Sequence, residues 1–294
     1  MRTLIRSRKL VKSLIAEQNR KLGLVDVGSG GPLKEPWSVL PGERIRRIAL
    51  DPETDENVGD FQCISNEEGS APFFVARDPR ASSLHEVEPG FVDRMGMKSL
   101  EAEKTITVQR RCLDSLIERQ EQMIDAIDIN TEGHDFQVLN GAKSLLTSGR
   151  LKLIKIEFEL VPIWIGQGYF SDIDLMMRSL GYRLADIEID RQRTRKTADM
   201  GCPGEPVWGK ALFVPTLELW NDRQKTIQDD DEWNSEVVLG IALMVAANLP
   251  GWAIDLFQLR TDKDNRQHEE AFRHALSRVY QFYRIERVCE SLLL

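Results

Sequence analysis

Residues 21–32 read KLGLVDVGSGGP, an apolar run from Leu22 to Val27 that opens into Gly28, Gly30 and Gly31, with Asp26 just ahead of the turn. An acid-x-Gly-x-Gly turn after a buried strand is a place where α/β proteins hold a nucleotide-like cofactor. Glycine lets the backbone approach the ligand with no Cβ between them, and the residues that follow offer free N–H groups. The plainer reading is a strand-to-loop turn, and the glycines alone do not separate the two. Working outward, a second apolar strand, RRIAL, ends in Asp51, twenty-five residues after Asp26. A carboxylate at that carboxyl end is placed to accept both hydroxyls of a ribose.

Further strand-like runs follow at Asp60 to Ser65, Pro72 to Ala76, Thr105 to Leu113, Met123 to Ile129 and Leu151 to Leu160, the last being the most strand-like stretch of the chain. Helical periods lie between them, at about 114–122, in FQVLNGAKSLLTSG, and from Ser171 to Leu180, where Gly181 closes the helix. Strands alternating with helices imply a mainly parallel sheet covered on both faces. YRLADIEI and KALFVP, joined by a hairpin-like excursion from Asp190 to Gly209, imply that one edge turns antiparallel. From Leu217 onward the period is helical throughout. The chain therefore divides into a basic helix (1–21), an α/β domain (22–216) and a helical extension (217–294), whose apolar stripes read as helix-packing core.

With 294 residues, 41% of them apolar, the chain suits a large α/β domain with an appendage rather than a disordered or fibrous protein. The net charge of −8 is uneven, since the first 21 residues hold seven Lys or Arg against the single acid Glu17. That segment reads as a short amphipathic helix packed over the sheet with its charges in water. The absence of Trp and Phe from it argues against docking on a membrane. No apolar run is long enough for a membrane span or a signal-peptide core, which leads to the expectation of a cytoplasmic protein. Cys63, Cys112, Cys202 and Cys289 show no metal-ligand spacing, so reduced thiols and no structural metal are expected. The acidic balance argues against nucleic acid as a partner, and oligomerisation is left open.

A dinucleotide turn needs a third small residue where its helix packs on the strand; Leu33 stands there, and Pro32 delays any helix. Both count against a nicotinamide-dependent oxidoreductase. Asp26-x-Gly28-x-Gly30 with a distant acid is instead similar to the first motif of class I S-adenosylmethionine-dependent methyltransferases. The run RRCLDSLIERQEQMIDAIDINTEGHDFQVLNGAKSLL (110–146), followed by LIKIEFEL, resembles the FkbM-type methyltransferases. In that family a Leu-Asp-Ser-Leu segment leads to a strand, an Asp-x-Glu-Gly turn and a Val-Leu-x-Gly-Ala helix. Here these fall on Leu113 to Leu116, Asn130 to Gly133, and Val138 to Ala142. The ISNEEG turn and Ser82-Ser83-Leu84 also look like family features. The resemblance covers roughly 22–215. It implies a seven-stranded-type methyltransferase sheet with an antiparallel last strand, and S-adenosylmethionine as cofactor. It further implies transfer to a hydroxyl of a sugar or glycan, a polyketide or a related small molecule. One departure is that the family's first acid is Asn130 here, with Asp128 two residues earlier on the same face of the strand.

On this reading Asp26, Gly28 and Gly30 face the methionine end of the cofactor, Asp51 the ribose, and Ser65 and Asn66 the adenine edge. Asn130, Glu132 and His134 are placed at the acceptor. His134 is a candidate base because an imidazole titrates near neutrality, and a polar helix cap is the alternative. Glu132 has its own alternative as a cap at a helix N-terminus. Glu159 sits at the rim of its strand and Trp164 in an aromatic stretch suited to stacking on a ring. Residues 77–98, with Ser82, Ser83 and His85, read as a lid over the substrate. The rival class is a non-catalytic methyltransferase-fold module that recruits a partner through the helical tail, with Asn130 as a mark of lost catalysis.

Overall fold

The computed structural model describes residues 2–16, 18–28, 30–50, 62–118, 123–261 and 270–280. Asp51 lies outside them. Two compact units emerge, one made of residues 23–31 and 47–219, the other of 1–22, 32–46 and 220–294. Among the described residues no helix is long and apolar enough to cross a membrane.

The chain runs α1 (Arg2–Ala16), β1 (Leu22–Val27), β2 (Ile45–Leu50), β3 (Gln62–Ser65), β4 (Gly69–Ala76), α2 (Pro89–Met95) and β5 (Ala102–Cys112). It continues α3 (Leu113–Glu118), β6 (Ala126–Ile129), α4 (Asp135–Asn140), α5 (Lys143–Thr147), β7 (Leu153–Glu159), α6 (Phe170–Ser179), β8 (Tyr182–Gln192) and β9 (Glu205–Pro215). The last elements are α7 (Leu217–Gln224), α8 (Asp230–Ala246) and α9 (Pro250–Phe257).

The central sheet has the order β2-β1-β6-β7-β9-β8. β1, β6 and β7 are parallel neighbours, and β9 runs antiparallel between β7 and β8. This is the α/β architecture with an antiparallel last strand that the element pattern implies. Strand alternation sorts the two faces. Val25, Val27, Ile127, Ile129, Ile154, Ile156 and Phe158 join one apolar core with residues of α4, α5 and α6. Asp26, Asp128, Lys155, Glu157 and Glu159 fall on the opposite face, with Asp26, Asp128 and Lys155 side by side in register. Lys155 Nζ lies 3.4 Å from Asp128.

One expectation is corrected. The run ending at Ser65 is not a strand of the central sheet: β3, β5 and β4 form a separate three-stranded sheet in that order, with Cys63, Phe73 and Val108 as its own small core. β5 supplies backbone partners to both β3 and β4. A four-residue strand finds its hydrogen bonds wherever a complementary edge is nearest, and local sequence does not name that edge.

The helical unit is built on α8, which is buried on nearly all sides. α1 packs against it, burying Ser7, Val11 and Ile15 while Arg8, Lys9 and Lys12 stay exposed. Arg20 pairs with the buried carboxylate of Glu236, and the Ser235 hydroxyl donates to Gln18 at 2.7 Å. Gly240 leaves room for the Trp220 ring, which meets Trp233 edge-on.

Candidate active site

The candidate site forms at the carboxyl ends of β1, β6 and β7. The strand order places β2 on one side of β1 and β6 on the other, so the connections part at the β1–β6 boundary. Open α/β sheets bind ligands in the crevice at such a point. Gly28 has φ +74°, and a Cβ there would run into the Asn130 carbonyl oxygen and lie 2.9 Å from its carbon. Glycine is thus required where the ends of β1 and β6 meet. The Gly28 N–H donates to the Leu50 carbonyl at 3.0 Å, and that of Asn130 to Val27 at 2.9 Å. Gly30 is exposed, and Gly31, at φ +92°, has open space around its would-be Cβ.

Asp26 lies beneath this turn, 1% exposed. Its carboxylate takes a bond from Arg47 Nε at 2.7 Å, and Arg47 also donates to the Gly31 carbonyl at 2.7 Å. Burial raises the Asp26 pKa to about 6 against the opposing pull of Arg47. Asp26 therefore fixes the glycine turn through Arg47, a partner that nothing in the sequence pattern marks.

Beyond β6 the chain makes a turn that bends twice into the left-handed region, with Glu132 at φ 53° and Gly133 at φ 87°. Gly133 is needed because a Cβ would lie 2.6 Å from Trp164 Cγ. Asp135, fully buried, holds the turn by accepting from the Thr131 N–H at 2.9 Å and the Gly133 N–H at 3.2 Å. Burial lifts its pKa to about 6. The Ser83 hydroxyl donates to the Glu132 carbonyl at 2.6 Å. Asn130, with its amide nitrogen turned toward Glu157, donates to both oxygens of that carboxylate, 3.3 Å to Oε1. An amide rather than an acid at position 130 thus has a local reason, since a second carboxylate would face Glu157 directly.

His134 sits at the start of α4, 6% exposed, and both ring nitrogens are engaged. Nδ1 lies 3.0 Å from His85 Nε2, and Nε2 lies 3.0 Å from Ser65 Oγ. His85 Nδ1 lies 2.9 Å from the Ile165 carbonyl oxygen. A carbonyl only accepts, so with both rings neutral the direction of the chain follows. His85 donates from Nδ1 and His134 donates from Nδ1 to His85 Nε2, which leaves His134 Nε2 facing the Ser65 hydroxyl. Burial and then the His85 ring lower the His134 pKa to about 3. His134, expected as a candidate base, has both ring nitrogens within hydrogen-bond distance of partners in the fold, and its surroundings reject the imidazolium.

This has a measurable consequence. His134 titrates near 6.5 in an unfolded chain and near 3 in the fold. Between those values the unfolded chain binds a proton that the folded one excludes. The stability tied to the neutral ring is therefore complete above about pH 6.5 and lost as pH falls toward 3. Asp26 and Asp135, raised from 3.8 to about 6, act in the opposite sense over their own range. His134→Gln is expected to be less stable than the wild type at pH 7 and to lose less on acidification to pH 4, read from urea midpoints at the two pH values.

Other expected site residues are placed differently. Ser65 is fully buried beside His134, while Asn66 is exposed. Its side-chain oxygen lies 3.2 Å from Ser65 Oγ. Ser82 Oγ accepts the Ala76 N–H at 3.1 Å and Ser83 is 1% exposed, so both hydroxyls serve the backbone. Residues 77–98 are a packed layer rather than a lid: Val87, Phe91, Val92 and Met95 form a core with Ile163, Trp164 and Val207. Trp164, 4% exposed, is part of that core and presents no free ring for stacking. Glu159 is 3% exposed. Burial first, then neighbouring carboxylates, hold Glu157 and Glu159 well above the usual carboxylate range.

Residues 27–184 match the model of the methyltransferase FkbM domain. The chain belongs to the FkbM methyltransferase family. No curated protein matches it. Among solved structures, magnesium protoporphyrin IX methyltransferase (ChlM) from Synechocystis PCC 6803 with bound SAM is similar at 11% identity and a TM-score of 0.33. That match covers 72% of this chain and 79% of the other, a likeness too distant to bear on the site.

The structure gives the FkbM motifs in this chain physical reasons. In Leu-Asp-Ser-Leu, Asp114 accepts the N–H groups of Ser144 and Leu145 at 2.8 and 3.0 Å, capping α5. In Val-Leu-x-Gly-Ala, a Cβ on Gly141 would strike the Ser65 carbonyl. These FkbM positions seat the start of α5 and the end of β3.

Proposed function

We propose that this FkbM-family protein is a cytoplasmic S-adenosylmethionine-dependent methyltransferase that methylates a hydroxyl of a sugar, polyketide or related small molecule. The observation that carries the reading is the Gly28 turn pressed on the end of β6 at the switch point, with Glu132, Glu157 and Glu159 alongside. The residues fit the cofactor: Gly31 leaves open space beside its backbone, and the nearby carboxylates suit a cationic ligand. When bound, S-adenosylmethionine supplies a methyl group on a positively charged sulfur.

The chain's own residues then have three tasks. Arg47, clamped between Asp26 and Gly31, holds the glycine turn in shape. The packed layer of 77–98 and the Trp164 core keep the Glu132 turn rigid, because alignment of two reactants supplies much of the acceleration in a displacement. Glu132 receives the proton leaving the acceptor hydroxyl, a role that suits a carboxylate held among others.

Calorimetric titration with S-adenosylmethionine, S-adenosylhomocysteine and NAD tests the reading. Micromolar binding of the first two, absent for NAD and lost in Asp51→Ala, supports it. Binding with no methylation across a broad hydroxyl panel favours the partner-recruiting module. No binding of either sulfur compound removes the enzyme reading.

A further inference from the structure

The strand register carries a charged ribbon past the end of the sheet, beside the candidate site. Glu159 of β7, Trp208 of β9 and Asp190 of β8 form one row. Neighbouring strands lie about 4.8 Å apart, so Asp190 stands about 10 Å from Glu159 across the carboxyl end of the sheet. β7 stops at this row, whereas β8 and β9 continue through the pairs Arg191–Pro206 and Gln192–Glu205 into the loop that joins them. The root of the ribbon is fixed, because Val207 shares a core with Trp164, whose ring lies against Gly133 of the Glu132 turn. Its outer part rests on α2. There the Arg195 N–H donates to the Arg94 carbonyl at 2.9 Å, and Arg94 Nη2 binds both oxygens of Glu205 at 2.5 and 2.6 Å.

In a chain of net charge −8, residues 191–204 hold four cations, Arg191, Arg193, Arg195 and Lys196, against the one acid Asp199. All four are exposed, and among the described residues none of them pairs with a carboxylate. Two of the guanidinium groups are nevertheless held in place. Arg191 Nη1 donates to the Gly204 carbonyl at 3.0 Å, and Arg193 Nε to the Cys202 carbonyl at 2.8 Å. Each spends one N–H on the returning side of the loop and keeps its other donors for a ligand. A charge run that serves solubility needs no such anchors. A guanidinium that is already held has less freedom to lose on binding, and its planar fork matches a carboxylate or a phosphate.

We propose that Arg191 and Arg193 form an anion-recognition arm at the rim of the candidate site, and that the acceptor carries a phosphate or carboxylate group bound there while its hydroxyl faces the Glu132 turn. The class of acceptor this fits is a phosphorylated sugar or a sugar acid. The word acceptor rests on the methyltransferase reading, but anion binding by the arm is tested by itself.

The test uses the full chain with glucose 1-phosphate, glucose 6-phosphate, glucuronate and uncharged glucose as probes. Binding is measured by calorimetry at pH 7 with and without S-adenosylhomocysteine. At least one anionic sugar is expected to bind about tenfold or more tighter than glucose, the scale of one charge-assisted hydrogen-bonded contact. That preference is expected to vanish in Arg191→Gln/Arg193→Gln and to survive in Lys9→Gln/Lys12→Gln, which removes as much exposed charge elsewhere. Preference for the phosphates or for glucuronate names the anionic group. The arginine variant is expected to melt with the wild type, since both contacts it removes are exposed. If it melts clearly lower, Arg191→Lys/Arg193→Lys takes its place, keeping the charge and losing the fork, with the same loss expected. The proposal is overturned if no anionic sugar binds tighter than glucose, if the arginine variants keep the preference, or if the lysine variant loses it equally. Arginine-dependent binding of oligothymidine or phosphatidylglycerol vesicles, with none of any sugar, overturns it as well. Failure to bind S-adenosylhomocysteine, with the anion preference intact, overturns the methyltransferase reading instead.

Discussion

Lys152→Met is expected to lower the unfolding free energy by about 3–5 kcal/mol, the range for breaking a buried ion pair from one side. Lys152 and Asp125 are each 1% exposed, and Nζ lies 2.7 Å from Asp125 Oδ1. The other oxygen of Asp125 accepts the Gly23 N–H at 2.8 Å, and its backbone carbonyl accepts the Lys152 N–H at 2.7 Å. The pair therefore ties together the amino-terminal ends of β1, β6 and β7, opposite the candidate site. Methionine fills much of the same volume but takes the Nζ ammonium away from the buried Asp125 carboxylate. Against a total of about 5–15 kcal/mol for a typical domain, the loss is a large fraction. Adding Asp125→Asn to Lys152→Met keeps the acceptor for Gly23 and removes the charge, so it is expected to recover part of the deficit. Urea denaturation of the three proteins decides it, and a loss under about 1 kcal/mol in the single variant would show that the pair is not desolvated.

Gly28→Ala is expected to abolish binding of S-adenosylhomocysteine and to destabilise the fold. An alanine in the left-handed region costs about 1–2 kcal/mol by itself. Here the new methyl group also meets the Asn130 carbonyl, so the end of β6 must move and carry the Glu132 turn with it. Gly31→Ala is the control. Its φ is also positive, at +92°, but nothing lies within 4 Å of the added carbon, so only about 1 kcal/mol of backbone strain is expected. Denaturation midpoints and calorimetry on both variants separate strain from collision. Equal effects at the two positions would mean that the contact between the β1 turn and Asn130 is not what shapes the site.

The alternation of strands and helices, the antiparallel end and the glycine turn after β1 were all legible in the amino-acid sequence, because each is written in local periodicity and in residues with special backbone freedom. The stretch from Leu113 to Ala142 likewise revealed the family, since its residues sit close together in the chain. The site was legible only in part. Glu132 and Asn130 lie at the turn that the motif indicated, whereas Ser65, Ser83 and Trp164 are buried and Ser82 accepts the Ala76 N–H. His134 illustrates why. As a sequence feature it is an imidazole with an ordinary pKa, and its proton affinity changes only when burial, His85 and Ser65 are assembled around it from segments far apart in the chain.

What the sequence by itself determined is therefore the class of fold, the family and the position of the two turns that frame the site. Tertiary structure alone decided that β3 leaves the central sheet, that Arg47 engages Asp26, that Asn130 answers Glu157, and that Glu159 is buried. The physical reason is range. Periodicity and turn chemistry act over a few residues, whereas desolvation, ion pairing and hydrogen-bond satisfaction depend on which distant side chains share a space, and only the folded chain brings them together.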